Sequence, residues 1–351
     1  MQRRRFIQNL GIGSLALPLN FYGGNSFEKT AFSEDIIIPE GLKEGDTIGI
    51  VSPAGAIFES EPYEIARESF EALGLQVKFG EFTKSRYGHL AGTDEERASE
   101  LMQMFADPEI KAIIALRGGS GAARILDKLD YGIIKKNPKI FMGYSDITAL
   151  HLAIHKKTGL VTFHGPVAVS TWNSFSTKYF KSLFFEREAV EYSNPTDKGD
   201  ELTQTSNRIR TITPGTAKGR LLGGNLSVLT GIMGTPYFPE DWKGKILYIE
   251  EIGEKIYAVD RMMTQLQLGG VLEQISGFVF GKCNDCEPGG NGYGSLTLEE
   301  VIDHYLKPLN IPAFSGAMIG HIANNATIPN GIEAEMDANK GTIKLLRPAV
   351  N

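Results

Sequence analysis

Two hydrophobic periods alternate along the first half of the chain. Short apolar runs predict strands over residues 46–51, 76–79, 112–116 and 140–142. Apolar positions three and four residues apart predict helices over residues 62–73, 94–105, 122–129 and 146–157. Thr93 followed by Glu96 has the spacing of a capping box, which marks the start of a helix. Strands that alternate with helices predict a mostly parallel sheet covered on both faces, with catalytic groups at the carboxyl ends of its strands.

The pattern changes after a polar, turn-rich stretch over residues 193–207. Beyond it we predict strands over residues 209–213, 218–222, 245–249 and 277–280, and helices over residues 225–231, 256–268 and 297–306. Residues 332–337 and 342–346 form a candidate hairpin. We therefore expect an α/β protein with an N-terminal, mostly parallel α/β domain over residues 40–190, a linker over residues 191–210 and a C-terminal mixed β/α domain over residues 211–348.

Residues 1–30 have the pattern of an export signal. Arg3, Arg4 and Arg5 precede Phe6 much as in the twin-arginine motif R-R-x-F-L-K, and ten mainly apolar residues follow at 10–19. That run is too short to span a bilayer as a stable helix. The leader predicts an exported, periplasmic protein, with a disordered basic leader and a cytoplasmic protein as the alternative. No clean cleavage site follows, so membrane association is expected only through an uncleaved leader.

Composition and charge narrow the classes of partner. The 351 residues are 42% hydrophobic and 22% charged, as in a soluble globular protein with a substantial core. The formal net charge is −6 although the start of the chain is basic, which argues against a nucleic-acid partner. Cys283 and Cys286 form half of a zinc motif without a second pair, so a local disulfide or two free thiols is expected rather than a metal site. We expect neither a metal nor a cofactor.

Ser145 is the first candidate for chemistry. An apolar run ends at Gly143, Ser145 follows, and a helical pattern begins at Asp146. This predicts a strand, a tight turn and a helix whose N-terminal N–H groups can stabilise an oxyanion beside the serine. The arrangement is that of a nucleophile elbow, although Ile147 stands where the G-x-S-x-G form has its second glycine. The alternative is that Ser145 only caps the helix.

A glycine-rich turn over residues 117–121 also joins a predicted strand to a helix. Its glycines allow close approach of the backbone and can aim N–H groups at an anion. A nucleotide-binding motif is disfavoured, because Arg124 stands where the third small residue is needed and no G-K-[ST] follows. We interpret the turn as an oxyanion or substrate loop beside Ser145, with simple chain reversal as the alternative.

A nucleophilic serine needs a base and a carboxylate that orients the base. His321, at a predicted strand end, is the best candidate base, and His164, in a similar position, is slightly weaker. Glu250 is the first acid of an apolar strand, and Glu251 must point to the opposite face because side chains alternate along a strand. A solvated acidic turn is the alternative for this pair. The remaining histidines have weaker placements: His151 and His155 on one helix face, His89 in a polar loop and His304 in an amphipathic helix.

Taken together, these segments resemble the LD-carboxypeptidase family of serine peptidases, which includes muramoyltetrapeptide carboxypeptidases and microcin-C self-immunity proteins. The resemblance covers about residues 40–346. The segments that carry it are residues 91–97, 117–121, 143–148, 164–166, 223–226, 247–251 with Asp260 and Arg261, and 320–321.

The resemblance implies the roles of individual residues. Ser145 would be the nucleophile, Glu250 the orienting carboxylate and His321 the base, drawn from two domains whose interface forms the site. The N–H groups of Gly119 and Asp146 would bind the oxyanion. The implied reaction removes the terminal D-Ala from peptidoglycan tetrapeptides, so the implied partner is a muropeptide.

The resemblance also implies an N-terminal domain like class I glutamine amidotransferases, a C-terminal swivelling domain and a homodimer. Ser120 stands where the family commonly has Tyr in R-G-G-Y-G, which leaves the shape of the pocket open. Two alternatives remain. One is a related hydrolase that acts on an aminoacyl-nucleotide antibiotic, and the other is a muropeptide-binding protein without activity.

Overall fold

A computed structural model describes residues 36–289 and 294–351, and the predicted leader over residues 1–30 lies outside the described residues. The strands are β1 (Thr47–Val51), β2 (Gln76–Phe79), β3 (Ile110–Ala115), β4 (Ile140–Gly143), β5 (Thr162–His164), β6 (Glu191–Tyr192), β7 (Arg210–Thr213), β8 (Thr216–Asn225), β9 (Ile246–Ile252), β10 (Gly277–Asn284), β11 (Ala313–Ser315), β12 (Ile328–Asn330), β13 (Glu333–Asp337) and β14 (Thr342–Leu345). The α-helices are α1 (Glu61–Glu71), α2 (Asp94–Ala106), α3 (Tyr131–Lys136), α4 (Thr148–Thr158), α5 (Ser174–Phe184), α6 (Leu226–Gly231), α7 (Ile256–Leu268) and α8 (Leu298–Leu306).

The first sheet has six strands in the order β12-β5-β4-β3-β1-β2. The five strands β1 to β5 pair in parallel, and β12 pairs antiparallel with β5. The interior strands β3 and β4 are almost entirely buried, as expected for parallel strands covered by helices. The carboxyl ends of β1, β3, β4 and β5 therefore meet along one edge, which we call the carboxyl edge.

The second sheet has eight strands in the order β6-β14-β13-β8-β9-β10-β11-β7. Its centre, β8 to β11, is parallel, whereas the flanking strands pair antiparallel. The predicted hairpin is present as β13 and β14. The predicted α/β class with a mostly parallel first sheet and a mixed second sheet is confirmed. The likeness to class I glutamine amidotransferases stays a prediction.

The predicted strands and α-helices are confirmed with small shifts at their ends, except in two places beside the candidate serine. Residues 122–128 form a 3₁₀ helix, which the chain enters from Gly121 in the left-handed conformation, with φ at 102°. The predicted helix from 146 begins with a 3₁₀ turn over Ser145–Ile147 before α4 starts. The predicted capping box of α2 is present, since Thr93 and Glu96 bond each other's N–H groups.

Several short elements were missed. Strands β6, β11 and β12 have only two or three residues, too few for a hydrophobic period to show. Helices α3 and α5 were also missed. Each follows an N-cap residue, Asp130 or Asn173, whose side chain accepts hydrogen bonds from backbone N–H groups of the first turn. Within the described residues, no helix combines the length and apolar character needed to cross a membrane.

Polar contacts join the two sheets. The side-chain oxygen of Asn330 on β12 accepts hydrogen bonds from the Gly223 N–H at 3.0 Å and the Tyr248 hydroxyl at 2.9 Å. The Thr148 hydroxyl at the start of α4 accepts one from the Asn225 N–H at 2.9 Å. Since β12 comes from the second half of the chain and completes the first sheet, the chain crosses between the sheets more than once. The domain bounds at 40–190, 191–210 and 211–348 stay predictions.

Candidate active site

A cavity of about 480 Å³ opens at the carboxyl edge of the first sheet. The loops that follow four of its parallel strands contribute to the lining: Ile57 after β1, Arg117 to Gly119 after β3, Tyr144 and Ser145 after β4, and Val167, Val169 and Ser170 after β5. His321, from the loop after β11 of the second sheet, completes this wall. The predicted nucleophile and the predicted base therefore line one cavity, although 176 positions separate them in the sequence.

Ser145 lies on a sharp turn directly after β4. Its φ is 64°, in the left-handed region that residues other than glycine rarely adopt, and this costs about 1–2 kcal/mol. The strand end before it is fixed, because the Gly143 carbonyl accepts hydrogen bonds from the Gly165 N–H at 3.1 Å and from His151 Nε2 at 2.8 Å. The strained turn points a partly exposed serine into the cavity at the start of a helix, as nucleophile-elbow geometry requires.

The glycine turn packs directly against this serine. A Cβ on Gly118 would lie 2.7 Å from the Ser145 Cβ, so the backbone approaches at a distance that only glycine permits. The Gly118 carbonyl accepts a hydrogen bond from the Gly55 N–H at 3.1 Å. Because a trans peptide points its C=O and N–H in opposite directions, the Gly119 N–H faces away from Gly55. No acceptor among the described residues bonds this N–H.

Asp146 follows the serine and is buried. Its carboxylate accepts a hydrogen bond from the Ala122 N–H at 2.7 Å, which ties the helix after the glycine turn to the serine turn. Burial raises the pKa of this carboxyl, while the Ala122 bond opposes the rise. The side chain of Asp146 therefore has a structural contact of its own, and only its backbone N–H is left for the predicted oxyanion role.

Glu250 and His321 form a hydrogen-bonded pair. The Glu250 Oε2 lies 2.8 Å from His321 Nδ1, and the Glu250 side chain is fully buried whereas that of His321 is 15% exposed. A carboxylate only accepts, so Nδ1 carries the proton and Nε2 is the nitrogen left to accept one. Tyr144 packs its ring edge against the His321 ring, with centroids 4.8 Å apart. Burial and the nearby Glu250 charge raise the pKa of Tyr144, so its hydroxyl stays protonated.

Three contacts fix the loop that carries His321. Gly320 has φ at 117°, and a Cβ there would lie 2.6 Å from the Glu250 Oε2, so the position requires glycine. The Gly320 N–H donates to the Asn325 Oδ1 at 3.1 Å. The Asn284 side-chain amide donates to the His321 carbonyl. Asn284 has no local signal in the sequence, because this contact joins residues far apart in the chain.

Glu251, the next residue on β9, has a different environment. Its carboxylate accepts hydrogen bonds from the Asn225 amide at 3.0 Å, the Ser227 N–H at 2.6 Å and the Ile252 N–H at 2.9 Å. Burial raises its pKa and these bonds oppose the rise. The two acids point to opposite faces as predicted, and Glu251 holds the start of α6 while Glu250 faces His321.

His164 lies behind the pair and does not reach the cavity. Its Nε2 is 3.9 Å from the Glu250 Oε1, beyond hydrogen-bond distance, and its side chain is fully buried. Burial, together with His151 and His321, holds its pKa well below the ordinary value, so it stays neutral. Burial also lowers the pKa of His151 to about 4. Geometry therefore favours His321 over His164 as the base and gives His151 a structural contact.

The cysteines and the remaining histidines lie outside this cluster. Cys283 and Cys286 form a disulfide bond at the end of β10. His89 Nε2 lies 3.0 Å from the Ser120 hydroxyl at the surface, and His155 Nδ1 lies 3.3 Å from the Leu160 carbonyl. In the described parts of the chain, no group of three or more His, Cys, Asp or Glu side chains is placed to hold a metal ion.

Comparisons with known proteins place the whole fold in a family. The model of the LD-carboxypeptidase N-terminal domain matches residues 48–165, and that of the LD-carboxypeptidase C-terminal domain matches residues 218–336. The chain is 40% identical over 309 residues to a probable murein peptide carboxypeptidase of Bacillus subtilis, an alignment that covers 87% of this chain and 92% of that protein.

Solved structures agree with this assignment. A structure of MccF in complex with glutamyl sulfamoyl guanosine superposes with a TM-score of 0.81 and 27% identity, covering 90% of this chain and 99% of that one. A muramoyltetrapeptide carboxypeptidase from Oxalobacter formigenes superposes with a TM-score of 0.72 and 28% identity, covering 85% of this chain and 97% of that one.

Proposed function

The chain belongs to the LD-carboxypeptidase family, and from that premise we propose that it is a serine carboxypeptidase that removes the terminal D-Ala from peptidoglycan tetrapeptides. The observation that carries the proposal is the arrangement around one cavity. Ser145 lies on a strained turn, and His321 bonds the buried Glu250 at 2.8 Å. The family match and the murein carboxypeptidase relative support the substrate class.

Acylation uses the three side chains in sequence. His321 Nε2 takes the proton of the Ser145 hydroxyl, and Oγ attacks the carbonyl that joins the third residue to D-Ala. Glu250 holds the ring by its Nδ1–H and stabilises the imidazolium that forms. The N–H groups of Gly119 and Asp146 bind the oxyanion, and losing one such donor costs roughly 3–4 kcal/mol of barrier. The C–N bond then breaks, and Nε2 returns its proton to the departing D-Ala nitrogen.

Deacylation repeats the proton transfers with water. His321 removes a proton from water, and the resulting hydroxide attacks the ester that joins the peptide to Ser145. The ester C–O bond breaks, Oγ regains the proton from Nε2, and the tripeptide leaves as its carboxylic acid. Apart from the water that is consumed, every group in these steps is a side chain or backbone N–H of this chain.

The test is D-Ala release from a defined tetrapeptide, followed by mass spectrometry. We expect Ser145→Ala to lower the rate about 10⁴-fold or more, because the nucleophile cannot be replaced by the remaining groups. Ser99→Ala is the matched control, since this serine is exposed on α2, lies outside the cavity wall and accepts a hydrogen bond from the Gln103 side chain. Comparable release by the wild type and Ser145→Ala would end the proposal. Absence of release by the wild type would favour a binding protein without activity.

A second candidate is a serine hydrolase that cleaves an aminoacyl-nucleotide antibiotic for self-protection. The superposition on MccF, a microcin C7 self-immunity protein, favours it. The same wild type and Ser145→Ala pair, incubated with an aminoacyl sulfamoyl nucleoside, separates the two substrates. We expect D-Ala release to be the faster reaction, since the 40% identity lies with the murein peptide carboxypeptidase.

We also propose that the protein acts after export. The twin-arginine-like pattern in residues 1–30 and the disulfide between Cys283 and Cys286 support this, because disulfides persist mainly in oxidising compartments. Fractionation of cells that produce the full chain tests it, and recovery in the cytoplasm would contradict it. The homodimer and the association with membranes through an uncleaved leader stay predictions.

A further inference from the structure

The described wall of the cavity is mainly apolar and has a positively charged side chain but no negatively charged one. Five apolar side chains line it: Ile57, Pro62, Ile65, Val167 and Val169. Of the described residues in its wall, Arg117 is the one with a permanent charge, and none is an Asp or Glu. Glu250 lies buried behind His321, outside the wall. A ligand with a negative charge is therefore favoured in this cavity, and Arg117 is where that charge would bind.

Arg117 lies immediately next to the nucleophile. It directly precedes Gly118, whose backbone touches Ser145. Its Nη1 donates to the Ala56 carbonyl at 3.1 Å, which fixes the direction of the guanidinium. A guanidinium has five N–H donors in a rigid planar fork, so this bond leaves four of them. The side chain is therefore held in a fixed direction and still has donors for a ligand.

Arg117 differs from the other arginines around the glycine turn. Arg97 and Arg124 both pair with the carboxylate of Asp94. For Arg117, no carboxylate in the described part of the chain lies within ion-pair distance. A partly buried cation without a counter-ion, held beside a reactive serine, is suited to an anion that arrives with the substrate.

We propose that Arg117 binds the free terminal carboxylate of the peptide and so restricts the enzyme to the last residue of the chain. The proposal rests on the proposed function, and it names the part of the substrate that the cavity recognises. When the scissile carbonyl lies at Ser145, the carboxylate of the leaving D-Ala is one residue away, and Arg117 lines the same cavity. A carboxylate accepts two parallel hydrogen bonds from a guanidinium, which fixes both position and orientation.

The experiment compares two forms of one tetrapeptide, with D-Ala as the free acid or as the carboxamide. Every other carboxylate of the peptide is the same in both forms, so their ratio of kcat/KM isolates the terminal charge. We expect the wild type to prefer the acid by roughly 100-fold, the size of a charge-assisted bidentate contact. Arg117→Gln should lose roughly that factor on the acid and little on the amide, so that the ratio approaches one.

Two further variants complete the design. Arg117→Lys keeps the charge without the fork and should restore part of the preference for the acid. Arg124→Gln is the matched control, because Arg124 is exposed and bonds Asp94 away from the cavity, and it should keep the wild-type ratio.

Three results would overturn the assignment: equal loss on both forms in Arg117→Gln, no loss on either, or a wild type that does not distinguish them. The proposed function fails separately, when the wild type releases D-Ala or its amide from neither form, and the assignment then falls with it.

Discussion

The nucleophile and the base are held in different ways. Ser145 is placed by the main chain: a left-handed φ of 64°, a Gly143 carbonyl with two donors and the backbone of Gly118 against its Cβ. His321 is placed by side chains, namely Glu250 on its ring and Asn284 on its carbonyl. The serine turn should therefore be sensitive to a single added atom that collides with its backbone. The histidine loop should instead lose activity stepwise, as each of its side-chain contacts is removed.

Among changes around the base His321, Glu250→Gln is expected to lower kcat most. The substitution removes the charge that stabilises the imidazolium and lets an amide face Nδ1, which favours the wrong tautomer. We expect kcat to fall about 10³–10⁴-fold in steady-state D-Ala release, with little change in stability.

Glu251→Gln provides the contrast on the same strand. Its carboxylate holds Asn225, Ser227 and Ile252, so this change should lower the free energy of unfolding by about 1–3 kcal/mol and leave kcat within a few-fold. A reversed pattern, with the larger loss of activity in Glu251→Gln, would show that the roles of the two acids are misassigned.

Gly118→Ala adds one methyl group beside Ser145 and tests how rigidly the serine turn is held. The new Cβ would lie 2.7 Å from the Ser145 Cβ and 3.0 Å from Oγ, and a turn fixed by its backbone cannot move aside cheaply. We expect kcat/KM to fall about 10²-fold, as when reacting groups are displaced by about 1 Å. Gly231→Ala, where nothing lies within 4 Å of the new Cβ, is the control. Full activity in Gly118→Ala would show that the serine turn is not held rigidly.

Asn284→Ala should have a smaller effect on the base side. It removes one donor to the His321 carbonyl, so we expect kcat to fall about 5- to 10-fold with KM unchanged. Asn339→Ala, which alters an exposed turn bonded to Asp337, is the control.

Reduction of the disulfide sharpens the Asn284 result. Asn284 lies between Cys283 and Cys286, so reduction should lower the activity of the wild type and add nothing in Asn284→Ala. If reduction lowered the activity of Asn284→Ala by the same factor as that of the wild type, the disulfide would not act through the contact between Asn284 and His321.

The last prediction concerns stability and comes from the neutral histidines behind the serine. His151 is buried with a folded pKa of about 4 against 6.5 when unfolded, so unfolding takes up a proton between these values. Stability should therefore fall as pH falls from 6.5 towards 4, by about 1.4 kcal/mol per pH unit for each such histidine. The free energy of unfolding, measured with urea at several pH values in this range, should depend less steeply on pH in His151→Gln than in the wild type.

Local signals made most of the fold predictable. The strand, turn and helix around Ser145 follow from fewer than twenty consecutive residues, and the capping box of α2 from four. The 3₁₀ helix after Gly121 was not predictable, because its first N–H bonds Asp146, a residue of another segment.

The residues around the base His321 were harder to predict from the sequence. Strand alternation separated Glu250 from Glu251, but it did not indicate which of them faces His321. His321 and His164 were almost equal candidates from pattern alone, and burial distinguishes them, since one lines the cavity and the other is fully enclosed. Asn284 had no local signal, because its role depends on a contact across 37 positions.

The central claim is that Ser145 and His321 act as one unit across the two sheets, and a double-mutant cycle on kcat/KM for D-Ala release tests it most directly. Groups that work together lose their effect together, so Ser145→Ala combined with His321→Ala should be no slower than the worse single variant, within about threefold. If the two losses multiply instead, the serine and the histidine act independently, and the account of the site is wrong.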